Sequence, residues 1–144
     1  MPRLIRPIFF FIILPYCLVN IPANALGEMV IIANKSIHEN SLPQEEIKNI
    51  FLGKRKKWQD NTPIIIALNG NEHLHKELLR NYAKRTPSQF KAVWRRLLYT
   101  GEGGIPQTFE SDMAIIDFVA SKTGAVSYID ATHLNDKVKL IHPE

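Results

Sequence analysis

Three places in the sequence combine glycine, small polar side chains and a helix start, the combination that holds a small anion without a metal. They are the Asn69-Gly70-Asn71 turn, the Thr100-Gly101-Glu102-Gly103-Gly104 loop, and Ser111 ahead of a further helix. A helix N-terminus carries unpaired N–H groups and the positive end of the helix dipole, and both point at an anion. Gly70, Asn71, Thr100, Gly101, Gly103 and Ser111 are therefore the candidate anion ligands. The plain reading of each is an ordinary cap or turn, because every helix needs such ends. A second candidate is the basic run Lys54-Arg55-Lys56-Lys57, which suits an acidic partner or a nucleic acid, beside Trp58, whose ring suits stacking on a ligand. The plain reading of the run is a solvated turn. Trp94 falls in a core stripe and reads as packing.

Other chemistries find no support in these residue types. His73 and His75 are two apart, so on a helix they face different ways, while His38, His133 and His142 are scattered in polar segments. No HExxH-type spacing occurs, so neither a metal nor another cofactor is expected. The chain has no GxSxG, no Ser-x-x-Lys and no usable cysteine, and Glu102 and Glu110 are an acidic pair of a kind any chain contains. An enzyme is not expected.

The first 25 residues read as an address. Arg3 and Arg6 form a positive start, Ile8 to Val19 an apolar stretch, and Ala23-Asn24-Ala25 a small-x-small cleavage site. This predicts a signal peptide over residues 1–25, export to the periplasm and a single domain over residues 26–144. The only cysteine, Cys17, leaves with the leader, and Tyr16 before it does not fit a lipoprotein signal. After Ala25 the chain has 16 Lys and Arg against 14 Asp and Glu, so overall charge selects no partner. No later apolar run is long enough to cross a bilayer, so membrane insertion of the mature chain is not expected. An exported chain also has little occasion to meet nucleic acid.

The elements that must position these residues follow from pattern. Met29 to Ala33 is a short apolar strand. Ser41-Leu42-Pro43-Gln44 has capping-box spacing, so a helix is expected from near Ser41, with Leu42, Ile47, Ile50 and Phe51 inward and Gly53 as its stop. Pro63 to Leu68 is Ile-rich and short, which predicts a strand buried on both faces and paired in parallel with the first. A second helix is expected over Glu72 to Ala83. Thr86-Pro87-Ser88-Gln89 opens a third, whose stripe is Phe90, Val93, Trp94, Leu97 and Leu98. Gly101 to Pro106 reads as an irregular loop with accessible N–H groups. Ser111 or Asp112 caps a fourth helix with Ile115, Ile116, Phe118 and Val119 inward and Gly124 at its end. Ala125 to Ile129 and Val138 to Ile141 close as strands. The alternation predicts an α/β lobe of three layers around a mostly parallel or mixed sheet.

Several segments then match a known pattern in order and spacing. Ile50-Phe51-Leu52-Gly53-Lys54 leads to Trp58-Gln59-Asp60, the strand ending at Leu68, Thr100-Gly101-Glu102-Gly103-Gly104, and Thr123-Gly124-Ala125-Val126-Ser127-Tyr128-Ile129. Together they resemble the second lobe of the phosphate-binding periplasmic proteins of ABC transporters, which belong to the type II solute-binding class. The resemblance implies one half of that fold and a small anion such as phosphate as ligand, with ABC transport as the setting. Two departures stand out. The family closes two lobes around its ligand, whereas residues 26–144 supply one, which would make pairing with another chain or self-association the way to complete a cleft. The family's Ser-Gly-Thr run is replaced by Asn69-Gly70-Asn71-Glu72-His73, so its hydroxyl contacts do not carry over. A lobe that has lost its ligand would instead act as a periplasmic protein-interaction module, with Trp58 and Lys54 to Lys57 as its contact surface.

Overall fold

The computed structural model describes residues 27–144. The expected signal peptide and its cleavage site lie outside these described residues. The described chain runs through β1 (Met29–Ala33), β2 (Ser41–Leu42), α1 (Gln44–Phe51), β3 (Ile65–Asn69), α2 (Glu72–Leu78), α3 (Pro87–Tyr99), β4 (Gln107–Phe109), α4 (Asp112–Ser121), β5 (Ala125–Asp130) and β6 (Lys139–Pro143). A π-helical turn, Leu79–Ala83, extends α2, and a short 3₁₀ turn, Ala131–His133, follows β5.

The six strands form one mixed sheet in the order β2-β6-β1-β5-β3-β4. β5 lies in the middle and is the most continuously buried strand, with residues 125–129 all buried. β3 and β4 extend from it in parallel, while β1 runs antiparallel to both β5 and β6. The expected parallel pair of β1 and β3 therefore does not form; β5 separates them and they run in opposite directions. An apolar run declares a strand but not its neighbour, and the run buried on both faces wins the centre.

The two faces alternate along each strand as a period of two requires. Ile31, Val126 and Tyr128 face α1, α2 and α3 through Ile47, Ile50, Phe51, Leu74, Leu78 and Trp94. Ile32, Ala125 and Ile129 face α4 through Ile115, Ile116 and Val119. Three layers with a core on each side of the sheet result. The described residues hold a six-stranded sheet with a core on each side.

Three local expectations are corrected and one strand is added. Helix α1 begins after Pro43 with no side-chain cap, and Ser41 instead lies in β2 opposite His142, with its hydroxyl donating to Glu144. β3 is only partly covered, since Ile65 stays 39% exposed where the sheet nears its edge. Leu98, expected in the core stripe, is 47% exposed, because two turns and a fraction from Phe90 carry it off the inward face. Directly after the expected loop, strand β4 forms where none was expected, because Gln107 and Thr108 disguise it by their polarity. The box at Thr86 does form, with Gln89 N–H donating to the Thr86 hydroxyl and Thr86 N–H to the Gln89 side chain.

Candidate functional site

Strands β3, β4 and β5 are parallel and end at one edge of the sheet, with Asn69, Phe109 and Asp130 as their last residues. Helices α2 and α4 start from that same edge. In open α/β sheets this is where ligands bind. Asn69 organises it from a buried position. Its amide donates to Asp112 Oδ1 at 2.7 Å and to the Tyr128 carbonyl at 3.1 Å, and its oxygen accepts Asn71 N–H at 2.9 Å. Asp112 Oδ2 accepts Asp130 N–H at 3.0 Å and lies 2.7 Å from His133 Nδ1. The hydrogen bond that the His133 ring donates to Asp112 holds the His133 pKa above its ordinary value.

Gly70, Asn71 and Ser111 share this edge, but their polar groups are largely engaged. Gly70 N–H donates to Phe109 O at 2.8 Å. The Asn71 side chain caps α2 by accepting Leu74 N–H, and the Ser111 hydroxyl caps α4 by accepting Ala114 N–H. Negative charge lies close by. A Cβ placed on Gly70 would come within 2.8 Å of Glu110 Oε2, and Glu72 at the start of α2 is paired with Lys76 at 2.6 Å.

Thr100, Gly101 and Gly103 have a different role from the one their composition suggested. They close the carbonyl end of α3. The Thr100 hydroxyl donates to Arg96 O, Gly101 N–H to Leu98 O, and both Glu102 and Gly103 N–H to Leu97 O. Gly101 takes φ +71°, the left-handed conformation that ends helices. These N–H groups are engaged, and this end of a helix is its negative pole. The sequence signal was a glycine directly after the last turn of an apolar stripe.

The basic run is also internal in part. Arg55 reaches Glu39 at 2.9 Å and Glu46 at 3.1 Å, and its guanidinium lies 5.7 Å from the Trp58 ring centre. Lys56 Nζ donates to Glu102 O at 2.8 Å, whereas Lys54 and Lys57 point to solvent. Trp58 is 2% exposed, with its indole N–H donating to Gly124 O at 2.9 Å. It presents no aromatic surface to a partner, because it fills the larger core.

Sequence reasoning missed a groove of about 590 Å³ between α2, α3 and β4. Its apolar lining includes Leu68, Phe90, Trp94 and Ile105; its charged lining is Glu72, Lys91, Arg95 and Glu110. His75 forms part of the wall. Its Nδ1 lies 2.6 Å from the Tyr128 hydroxyl, its ring stacks on Tyr128, and Phe90 meets it edge-on. Burial lowers the His75 pKa, the Lys91 charge adds to this, and burial pushes the Tyr128 hydroxyl far up. His75 therefore takes up a proton less readily in the fold than in the unfolded chain, where the ordinary value is 6.5. Stability attributed to His75 is complete above that value and falls as pH drops below it. His133 works in the opposite sense: its contribution is complete below 6.5 and fades as pH rises through its folded value. Thermal melts from pH 7.5 to 5.5 are expected to show an acid-side loss of stability that His75→Gln removes and His133→Gln deepens. An acid-side slope unchanged in His75→Gln would refute the assignment. Among the described residues no group of three or more His, Cys, Asp or Glu is placed to hold a metal ion.

A mixed sheet between helical layers, with parallel strand ends and two helix starts at one edge, is an α/β lobe. The chain belongs to the PBP superfamily: the PBP superfamily domain matches residues 23–141. Solved structures agree on the fold. A putative phosphate ABC transporter substrate-binding protein with bound phosphate from Clostridium perfringens superposes with a TM-score of 0.63 at 16% identity, covering 81% of this chain and 45% of that one. An ABC-type phosphate transport receptor from Vibrio cholerae gives 0.56 at 15%, covering 81% and 46%. PstS from Borrelia burgdorferi gives 0.61 at 13%, covering 82% and 47%. The chain therefore spans less than half the length of the structures it matches. No helix among the described residues is long and apolar enough to cross a membrane.

Proposed function

We propose that this chain is an exported solute-binding protein of the phosphate-binding type that engages a small anion at the carboxyl edge of β3, β4 and β5. The observation that carries the reading is the meeting of the α2 and α4 N-termini at that edge, in a chain of the PBP superfamily. Phosphate in the Clostridium perfringens relative supports the ligand class. Gly70, Asn71 and Ser111 border the site. Thr100, Gly101 and Gly103 are not included, since they close the far end of α3.

Affinity follows from exposure. A one-sided site with two or three hydrogen bonds to an anion in water reaches roughly millimolar, about 4 kcal/mol. Tight capture needs a second surface over this edge, supplied by another chain or a second copy. Glu110 opposes the anion, because an exposed unit charge beside it costs about 1 kcal/mol. Calorimetric titration of residues 27–144 with phosphate, and with sulfate as comparison, tests this. We expect Glu110→Gln to tighten phosphate binding roughly fivefold over the parent. No heat from either protein at roughly ten times the expected dissociation constant would sink the proposal.

A further inference from the structure

The chain carries a second charged feature along α3 and the turn before it, where Lys91 and Arg95 line a groove that Gly70 also borders. From Leu78 to Gly101 the sequence holds six cations, Arg80, Lys84, Arg85, Lys91, Arg95 and Arg96, and no acidic residue. The rest of the chain after Ala25 is correspondingly acidic, with ten Lys and Arg against fourteen Asp and Glu. Five of the six are exposed and Arg85 is half-buried. None forms an ion pair among the described residues, whereas Lys48, Arg55, Lys76 and Lys137 all do. Unpaired like charges on one helix and its lead-in turn repel one another, so this face lacks a partner that would offset them.

Apolar residues stand at the end of the same face. Lys91, Arg95, Leu98 and Tyr99 follow the i, i+4, i+7, i+8 spacing of a single stripe on α3. Tyr99 is 82% exposed, Leu98 47%, and Ile105, which lines the groove with Lys91 and Arg95, is 63% exposed. The apolar face of α3 is buried in the core, so the contact left to it is a shallow one of surface cations and an exposed aromatic and aliphatic tip with anionic lipid. A tyrosine suits the headgroup level, with its ring in the apolar boundary and its hydroxyl in water.

We propose that the outer face of α3, with the turn before it, docks on an anionic lipid bilayer. Lys91 and Arg95 on the stripe meet headgroup phosphates, the flanking cations add to the attraction, and Leu98, Tyr99 and Ile105 enter the interface. This goes beyond the anion-binding reading, which concerns the α2 and α4 starts; Lys91 and Arg95 share a groove with Gly70, and the Leu98 and Tyr99 changes, which leave that groove's charges in place, separate the two readings. The exposed apolar tip favours a bilayer over a soluble polyanion, which would need only the charges.

Co-sedimentation of residues 27–144 with vesicles tests it, and leaving out the apolar leader keeps that segment's own membrane affinity from masking the effect. Vesicles of phosphatidylglycerol mixed with phosphatidylcholine are expected to bind at least about tenfold more protein than phosphatidylcholine alone. Salt of about 0.5 M should abolish the difference, because screening then acts within a few ångströms. The triple change Lys91→Gln, Arg95→Gln, Arg96→Gln should lower binding about tenfold. The double change Leu98→Ser, Tyr99→Ser should weaken it at unaltered charge. Both variants change exposed positions, and thermal melting checks their fold. Equal binding to both vesicle types overturns the proposal. So does binding that ignores the Leu98 and Tyr99 changes while heparin competes fully, which would make the face a site for soluble polyanions.

Discussion

Trp58→Ala is expected to remove about 4 kcal/mol of stability, within the range for truncating a large buried aromatic. The ring is 2% exposed and belongs to the larger of the two cores, so its loss opens a cavity the neighbours cannot fill. The hydrogen bond adds little to this figure. Gly124 O, which accepts the indole N–H, also accepts Ile65 N–H at 3.1 Å and keeps that partner when the ring is gone. Arg55 adds a further loss, because its guanidinium lies over the ring while pairing with Glu39 and Glu46. Trp58→Phe keeps most of the volume and should cost about 1 to 2 kcal/mol. Urea denaturation of residues 27–144 measures both, and a loss below about 1 kcal/mol for the alanine variant would show that the ring is not packed as described. One consequence concerns function. A partner lost on Trp58→Ala would report unfolding and not a missing contact, so the residue cannot anchor an interaction surface.

The same residue shows why part of the fold was legible in the sequence and part was not. Periodicity fixes what one element does alone. The apolar spacing of α3 and α4 and the Thr86 box were readable because partners three and four residues apart meet on a helix. The lobe itself was legible through longer segments, from Ile50 to Asp60 and from Thr123 to Ile129, which match a pattern wider than any single element. Pairing between distant elements left no local mark. Trp58 finds Gly124 across 66 residues, Asn69 finds Asp112 across 43, and β1 takes β5 as its neighbour instead of β3. Composition also misled where one motif serves two ends of a helix. Glycines after Thr100 suit an anion loop and a helix stop equally, and only the carbonyls of Leu97 and Leu98 decide between them. The edge site was half visible for the same reason: Gly70, Asn71 and Ser111 announce helix starts, while the carboxylate that holds those starts together is a matter of tertiary structure.

That carboxylate carries the second large effect. Asp112→Ala is expected to cost about 3 kcal/mol, because one side chain ties the ends of β3 and β5 to the start of α4. Its side chain is only 10% exposed, and it accepts from Asn69 Nδ2 and Asp130 N–H while facing His133 Nδ1. Asn69 keeps its bond to Tyr128 O, but the Asp130 N–H loses its acceptor, and the first turn of α4 loses a negative charge that suits its dipole. His133 adds little, since it is largely exposed and solvent screens the pair. Asp112→Asn discriminates between shape and chemistry. An amide has one oxygen, so turning it toward Asn69 aims its NH₂ at the donors from Asp130 and His133, and turning it the other way opposes the Asn69 amide. The isosteric change should therefore cost nearly as much as alanine, and an asparagine variant as stable as the parent would refute the three-donor arrangement. In that variant the His133 pKa should fall back toward 6.5, which NMR titration reads directly. The anion site depends on this tie as well. Gly70 and Asn71 are placed by Asn69, and Ser111 precedes Asp112 in the chain, so releasing the Asn69–Asp112 bond frees the two helix starts from each other. Phosphate heat should then vanish under conditions where the variant remains folded.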